Sequence, residues 1–111
     1  MEGGFRQLGY VGEKIPIQVE NCENYDGYGN TWYRQEGLNV HIHIGVKGLT
    51  AGKSVEITRI LIEFALAGNV TCVGVGGSLL DMSSAFVGTN GKITVTSESQ
   101  YAQVDIYYLK K

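Results

Sequence analysis

The stretch Leu38-Asn39-Val40-His41-Ile42-His43-Ile44-Gly45-Val46-Lys47 constrains the fold more than any other part of the chain. Apolar residues occupy every second position, and the positions between them are polar or glycine. A helix would scatter these side chains around its circumference, whereas a strand sends them all to one face. Such a strand needs a sheet around it and a second layer over its apolar side. Shorter runs of the same character recur. Ile15–Glu20, Thr31–Gln35, Ser54–Ile60, Val70–Val75, Lys92–Thr96 and Tyr101–Leu109 alternate or concentrate β-branched and aromatic residues. The lone proline, Pro16, suits a strand start or an edge, where no ladder N–H is needed. The run 60–67 (ILIEFALA) lacks helix caps and reads as a further strand. Gly68-Asn69 and Asn90-Gly91 are turn signals, and Ala85–Val87 a short strand. No amphipathic helix is available to cover a sheet. The chain is therefore expected to be all-β: an antiparallel β-sandwich, jelly-roll-like, of about eight to ten short strands.

Length holds this to one domain, 1–111, because 111 residues build a modest core but not two independent ones. With 16 glycines and only 18% charged residues, the composition is that of a turn-rich globular chain and not of a disordered one. Net charge is -2 and the nine basic residues form no patch, so nucleic-acid binding has no support. No basic stretch followed by an apolar run marks a secretory signal at the start. The most apolar window, Ile60 to Val75, is interrupted by Glu63, Gly68, Asn69 and Gly74, which argues against membrane insertion. Two cysteines, Cys22 and Cys72, are too few for a disulfide scaffold and read as free thiols.

Catalytic chemistry finds little foothold. A nucleophile needs a base, and the only histidines are His41 and His43, on one face of the long strand. There is no Gly-x-Ser-x-Gly elbow, no phosphate-binding loop and no carboxylate pair at a telling spacing. His41 and His43 supply two metal ligands, half a site, so no metal or other cofactor is expected and the pair reads as two polar side chains on a solvated sheet face. The chain is thus expected to be non-enzymatic and to bind something. The densest group of ligand-binding candidates is Tyr25, Asp26, Tyr28, Trp32 and Arg34, in and after the loop Glu23–Asn30. Aromatic rings stack on the C–H faces of sugars, and Asp26 and Arg34 can hydrogen-bond hydroxyls or a phosphate. Trp32 and Tyr33 alternate, so one of them faces the core. Tyr101, Tyr107 and Tyr108 read as sheet-packing residues.

Two family resemblances follow from these segments. Cys22, then Trp32-Tyr33-Arg34-Gln35, then Cys72 resembles the Cys, Trp and Cys of immunoglobulin domains. The expected tyrosine two residues before the second cysteine is replaced by Val70, and too much chain follows Cys72 for a last loop and strand. The second resemblance covers residues 31–111. Tyr33-Arg34-Gln35-Glu36-Gly37, the strand Leu38 to Lys47, the loop Gly48-Leu49-Thr50-Ala51-Gly52, the strand Gly91-Lys92-Ile93-Thr94-Val95-Thr96 and the closing strand Val104 to Leu109 resemble the carboxy-terminal head domains of bacteriophage tail fibres and receptor-binding proteins. Such heads often carry a Leu-Pro-x-Gly-Phe-like segment where this chain has Ile60-Leu61-Ile62-Glu63-Phe64, which leaves the subfamily open.

The second resemblance implies a non-enzymatic adhesion head at the virion tail tip. It implies a homotrimer that binds host cell-surface saccharide or teichoic acid and contacts other tail or baseplate proteins. It also implies that the chain is the distal part of a longer protein. The other readings are an extracellular immunoglobulin-like or carbohydrate-binding module, and a hydrolase subunit that would need His41 or His43 as its base.

Overall fold

A computed structural model describes residues 11–59, 68–77 and 80–109. The expected strand at 60–67 lies outside them. Among the described residues nine strands form in chain order: β1 (Ile15–Pro16), β2 (Glu23–Asn24), β3 (Trp32–Glu36), β4 (Asn39–Lys47), β5 (Ser54–Arg59), β6 (Val70–Val75), β7 (Met82–Val87), β8 (Lys92–Ser97) and β9 (Ala102–Leu109). Among the described residues one 3-10 turn, Asp26–Tyr28, interrupts them. The described residues thus form the all-β, antiparallel fold that the alternation implies.

The strands follow one path, β1-β3-β4-β9-β6-β7-β8-β5, with β2 beside the far end of β4, and every pairing is antiparallel. The path folds back on itself at β9 and β6, which share only the pair Val75↔Gln103. One layer is therefore β1-β3-β4-β9 and the other β6-β7-β8-β5, a curled sandwich. Gly74 sits at this corner. A Cβ there would lie 2.1 Å from the Gln103 carbonyl oxygen, so the two backbones approach as closely as they do only because the side chain is a hydrogen. Across the opposite, open side, Glu20 N donates to Ile57 O and Asn21 Nδ2 to Glu56 O, tying the segment after β1 to the edge strand β5.

Between the layers lie Val40, Ile42, Ile44 and Val46 of β4, Ile57 of β5, Ala85 and Val87 of β7, Ile93 and Val95 of β8, and Val104 and Ile106 of β9, all fully buried or nearly so. Tyr108 joins them, and burial, with Tyr33 nearby, pushes its phenol well above the usual tyrosine range. Leu38 departs from the expected pattern: it occupies the two-residue turn Gly37-Leu38 between β3 and β4 and is exposed. Gly37 takes φ 63°, the glycine-favouring first position of a tight hairpin turn.

Tyr33 packs against the core, which leaves Trp32 on the outer face. Cys22 and Cys72 are free thiols packed at the core margin. Burial, with Glu23 adding to it, pushes the Cys22 thiol up to about 11. An outward Trp32 and unbonded cysteines do not reproduce the immunoglobulin pattern, in which the tryptophan packs on the disulfide. Among the described residues no helix is long and apolar enough to cross a membrane.

Candidate functional site

The outer face of the β3-β4-β9 layer carries the candidate site. Register decides its membership. Trp32 lies opposite His43 and Arg34 opposite His41 across β3 and β4, while His43 lies opposite Asp105 and His41 opposite Tyr107 across β4 and β9. Alternation puts all of these side chains on the face away from the core.

His41 and His43 are not solvated, as the sequence reading expected: they are only 6% and 9% exposed. Trp32 stacks on His43, with ring centroids 5.3 Å apart, and Tyr107 stacks on His41 at 4.1 Å. Trp32 also meets His41 edge-on at 4.8 Å. Two aromatic side chains thus roof the imidazoles that a bare sheet face would have left in water. Buried polar rings need partners, and a continuous chain of contacts supplies them. Arg34 Nε donates to Glu36 Oε2 at 2.8 Å, and His41 Nδ1 meets the same oxygen at 2.7 Å. His41 Nε2 meets Asp105 Oδ1 at 2.8 Å, and His43 Nδ1 meets that oxygen at 2.7 Å. His43 Nε2 ends the chain on the carbonyl oxygen of Tyr28.

The two carboxylates respond. The Arg34 hydrogen bond, reinforced by His41 and only partly opposed by desolvation, holds Glu36 below its ordinary range. Burial disfavours the charge on Asp105, but the bonds from His41 and His43 outweigh it and hold that carboxyl low as well. No group of three or more side chains arranged to hold a metal ion occurs among the described residues.

Beside this chain sits the tyrosine loop. Tyr25 N and Asn30 N, with Tyr28 N, bind backbone oxygens that fold residues 25–30 into a compact turn on β4. Asn30 has φ 59°, in the left-handed region that asparagine tolerates. Gly45 is the seat of the loop: a Cβ there would lie 2.6 Å from the Tyr28 carbonyl oxygen. Tyr25 and Tyr28 pack edge-on at 4.9 Å, and Tyr101 joins both at 5.5 and 6.2 Å. Tyr28 Oη donates to Gly76 O, bridging to the other layer. Three cations hover over these rings: Lys14 and Arg34 over Trp32, and Lys47 over Tyr25.

Of the five residues singled out in the sequence, Tyr25 and Tyr28 share one cluster, and Trp32 and Arg34 share the adjoining one. Asp26 stays apart, exposed in the 3-10 turn with no side-chain bond among the described residues. Glu36, Asp105, Tyr101 and Tyr107 belong to the same surface. Tyr107 is 54% exposed and Tyr101 is exposed too, so both reach the surface instead of packing in the sheet interior. Sequence alone held one usable signal: the parity of β9, in which Asp105 and Tyr107 alternate with Val104, Ile106 and Tyr108.

A second, open cleft of about 290 Å³ lies on the other layer, lined by Val73, Met82, Ser84, Thr96 and Glu98 among others. Its one carboxylate is occupied: Glu98 Oε1 accepts the Met82 N–H at 2.6 Å.

No protein-family model and no curated protein sequence matches the chain. Among solved structures, the receptor binding protein (gp15) of Listeria phage PSA superposes with a TM-score of 0.72 over 99% of this chain and 71% of that one, at 13% identity. At that identity the likeness establishes a shared fold.

Proposed function

We propose that the protein is a non-enzymatic adhesion head of a bacteriophage tail appendage, and that it binds a host cell-surface saccharide through the outer face of β3, β4 and β9. The observation that carries this reading is the concentration of stacked aromatic rings and cations on one face of a fold shared with a phage receptor-binding protein. Tyr107 offers a ring face to a sugar, and the cations over Trp32, Lys14 and Arg34, stand beside it as donors. Arg34 is held through its Nε, which leaves its terminal nitrogens without a hydrogen bond among the described residues, free for hydroxyl or phosphate oxygens. All four ring nitrogens of the two histidines face acceptors within the chain, so neither imidazole is turned towards a nucleophile among the described residues, which disfavours the hydrolase reading.

The assembly in this reading is a homotrimer at the virion tail tip, joined to other tail or baseplate proteins. Its support is the outer face of β6 and β7, where Thr71, Val73, Met82, Ser84 and Phe86 carry no charge, with Val73 69% and Met82 58% exposed; beyond them on the same layer Lys92 of β8 pairs with Glu56 of β5 at 3.2 Å. Faces with large exposed apolar side chains are what assemblies cover.

The test is attachment to intact bacterial cells. Fluorescently labelled protein is expected to decorate the cells of a susceptible strain, and purified wall saccharide from that strain to compete it off. Arg34→Ala should weaken attachment about tenfold, the worth of one charge-assisted contact. Attachment that survives removal of wall saccharide would overturn the reading.

A further inference from the structure

Both ring nitrogens of His43 face acceptors: Nδ1 faces Asp105 Oδ1 and Nε2 faces the Tyr28 carbonyl oxygen. Neither acceptor can return a proton, since one is a carboxylate and the other a backbone carbonyl. A neutral imidazole has a single N–H and can satisfy only one of them. His41 stands in the same position between Glu36 Oε2 and Asp105 Oδ1. All four contacts are made as hydrogen bonds only when both rings carry two protons. The side chains Arg34, Glu36, His41, Asp105 and His43 then alternate in charge along three strands.

One end of this line is not a side chain. It is the backbone of the tyrosine loop, whose Tyr25 and Tyr28 rings adjoin the proposed binding face. We propose that His43 is a positioning residue of that face, a proton-operated clamp that holds the Tyr25–Asn30 loop against β4, with Asp105 as its anchor. The inference rests on the reading of this face as the saccharide site.

Loss of a proton from His43 leaves one of its two contacts without a hydrogen. Asp105 carries a full charge and retains the remaining N–H, so the contact that opens is the one to Tyr28. The groups around the ring are Glu36 and Arg34 from β3, His41 from β4 and Asp105 and Tyr107 from β9. The Tyr28 carbonyl faces it from the 3-10 turn, and Lys14 lies beyond the covering Trp32 ring. The loop keeps its backbone bond from Tyr25 N to Gly45 O and the Tyr28 Oη bond to Gly76, so opening frees one side of it without unfolding the sheet.

The experiment is nitrogen NMR of the histidine rings in the ligand-free protein between pH about 5 and 8, the interval in which imidazoles change charge. The amides of residues 25–30 are followed in the same samples. Two protonated nitrogens on His43 at the acid end, with the loop amides shifting in step with its titration, are the expected result. His43→Phe keeps a ring under Trp32 but no donor, and should give loop amides that no longer respond to this titration. A His43 ring with one proton throughout, or loop amides indifferent to its titration, would overturn the clamp; if His43→Phe does not fold, the wild-type titration decides. Saccharide binding is read separately by pH profile. Clamping predicts about tenfold weaker binding once His43 is neutral. Binding with no pH dependence, by a loop that follows the titration, would overturn the positioning role. A complete absence of saccharide binding, with the loop still following the titration, would count against the saccharide site and not against the clamp.

Discussion

At the scale of single residues, Asp105 holds the outer face together, because one of its oxygens receives both histidines. Asp105→Ala should cost about 1–3 kcal/mol, the usual penalty for leaving buried donors without a partner, read as a lower urea midpoint at neutral pH. The sign of the acid response follows from the carboxylates. Glu36 and Asp105 both ionise below the ordinary range in the folded protein. Between the folded and unfolded values the unfolded chain binds more protons. The stability they contribute is therefore complete above a carboxyl's ordinary value of about 4 and drains away as pH falls through the lower, folded values. Unfolding midpoints measured down that range should fall more steeply for the wild type than for Asp105→Asn, which lacks one of the two titrating groups. Little of this was legible in the sequence. His41-Ile42-His43 announced two imidazoles on one face, but their burial depends on Trp32 and Tyr107, brought over them by neighbouring strands. Asp105 lies 62 residues from His43 in the chain, and only the β4–β9 register makes them neighbours.

At the scale of elements, β4 explains most of the architecture, and its alternation is also what the sequence displays most openly. Ile42 pairs with Ile106 of β9, and both are fully buried. Ile42→Ala should destabilise by about 2–5 kcal/mol, since the cavity lies between two layers with little freedom to collapse. Gly45 is the other informative position on the strand. Gly45→Ala should leave the sheet intact while displacing the tyrosine loop, because the added carbon meets the Tyr28 and Asn30 carbonyls. Altered amide shifts confined to residues 25–30 would show it. The boundaries were less legible than the strands. Leu38 matched the apolar parity yet belongs to the turn, since a two-residue hairpin loop starting at Gly37 consumes it. The segment after Pro16 alternates like a strand but pairs only at Ile15 and Pro16, because beyond them it leaves β3 to bridge towards β5.

At the scale of the whole molecule, the two layers present different outer surfaces. One is aromatic and charged, and its polar groups are locked to each other; the other is partly apolar at Val73, Met82 and Phe86 and carries the Lys92–Glu56 pair and Glu98 beside them. In the proposed reading the first face meets a ligand and the second meets copies of the same chain. Light scattering of the purified chain should give a mass near three chains if the second face is covered in that way. Val73→Lys should shift that mass towards one chain without altering the fold.

Trp32 is the only tryptophan in the chain, so its fluorescence reports on the proposed site and nowhere else. The most direct test is therefore a titration of the protein with purified bacterial wall saccharides, followed by Trp32 emission. A saturable change with at least one saccharide, lost or weakened about tenfold in Arg34→Ala and Tyr107→Ala, is the predicted result. Emission that no saccharide alters, or a change that persists undiminished in both variants, would contradict a binding face on β3, β4 and β9.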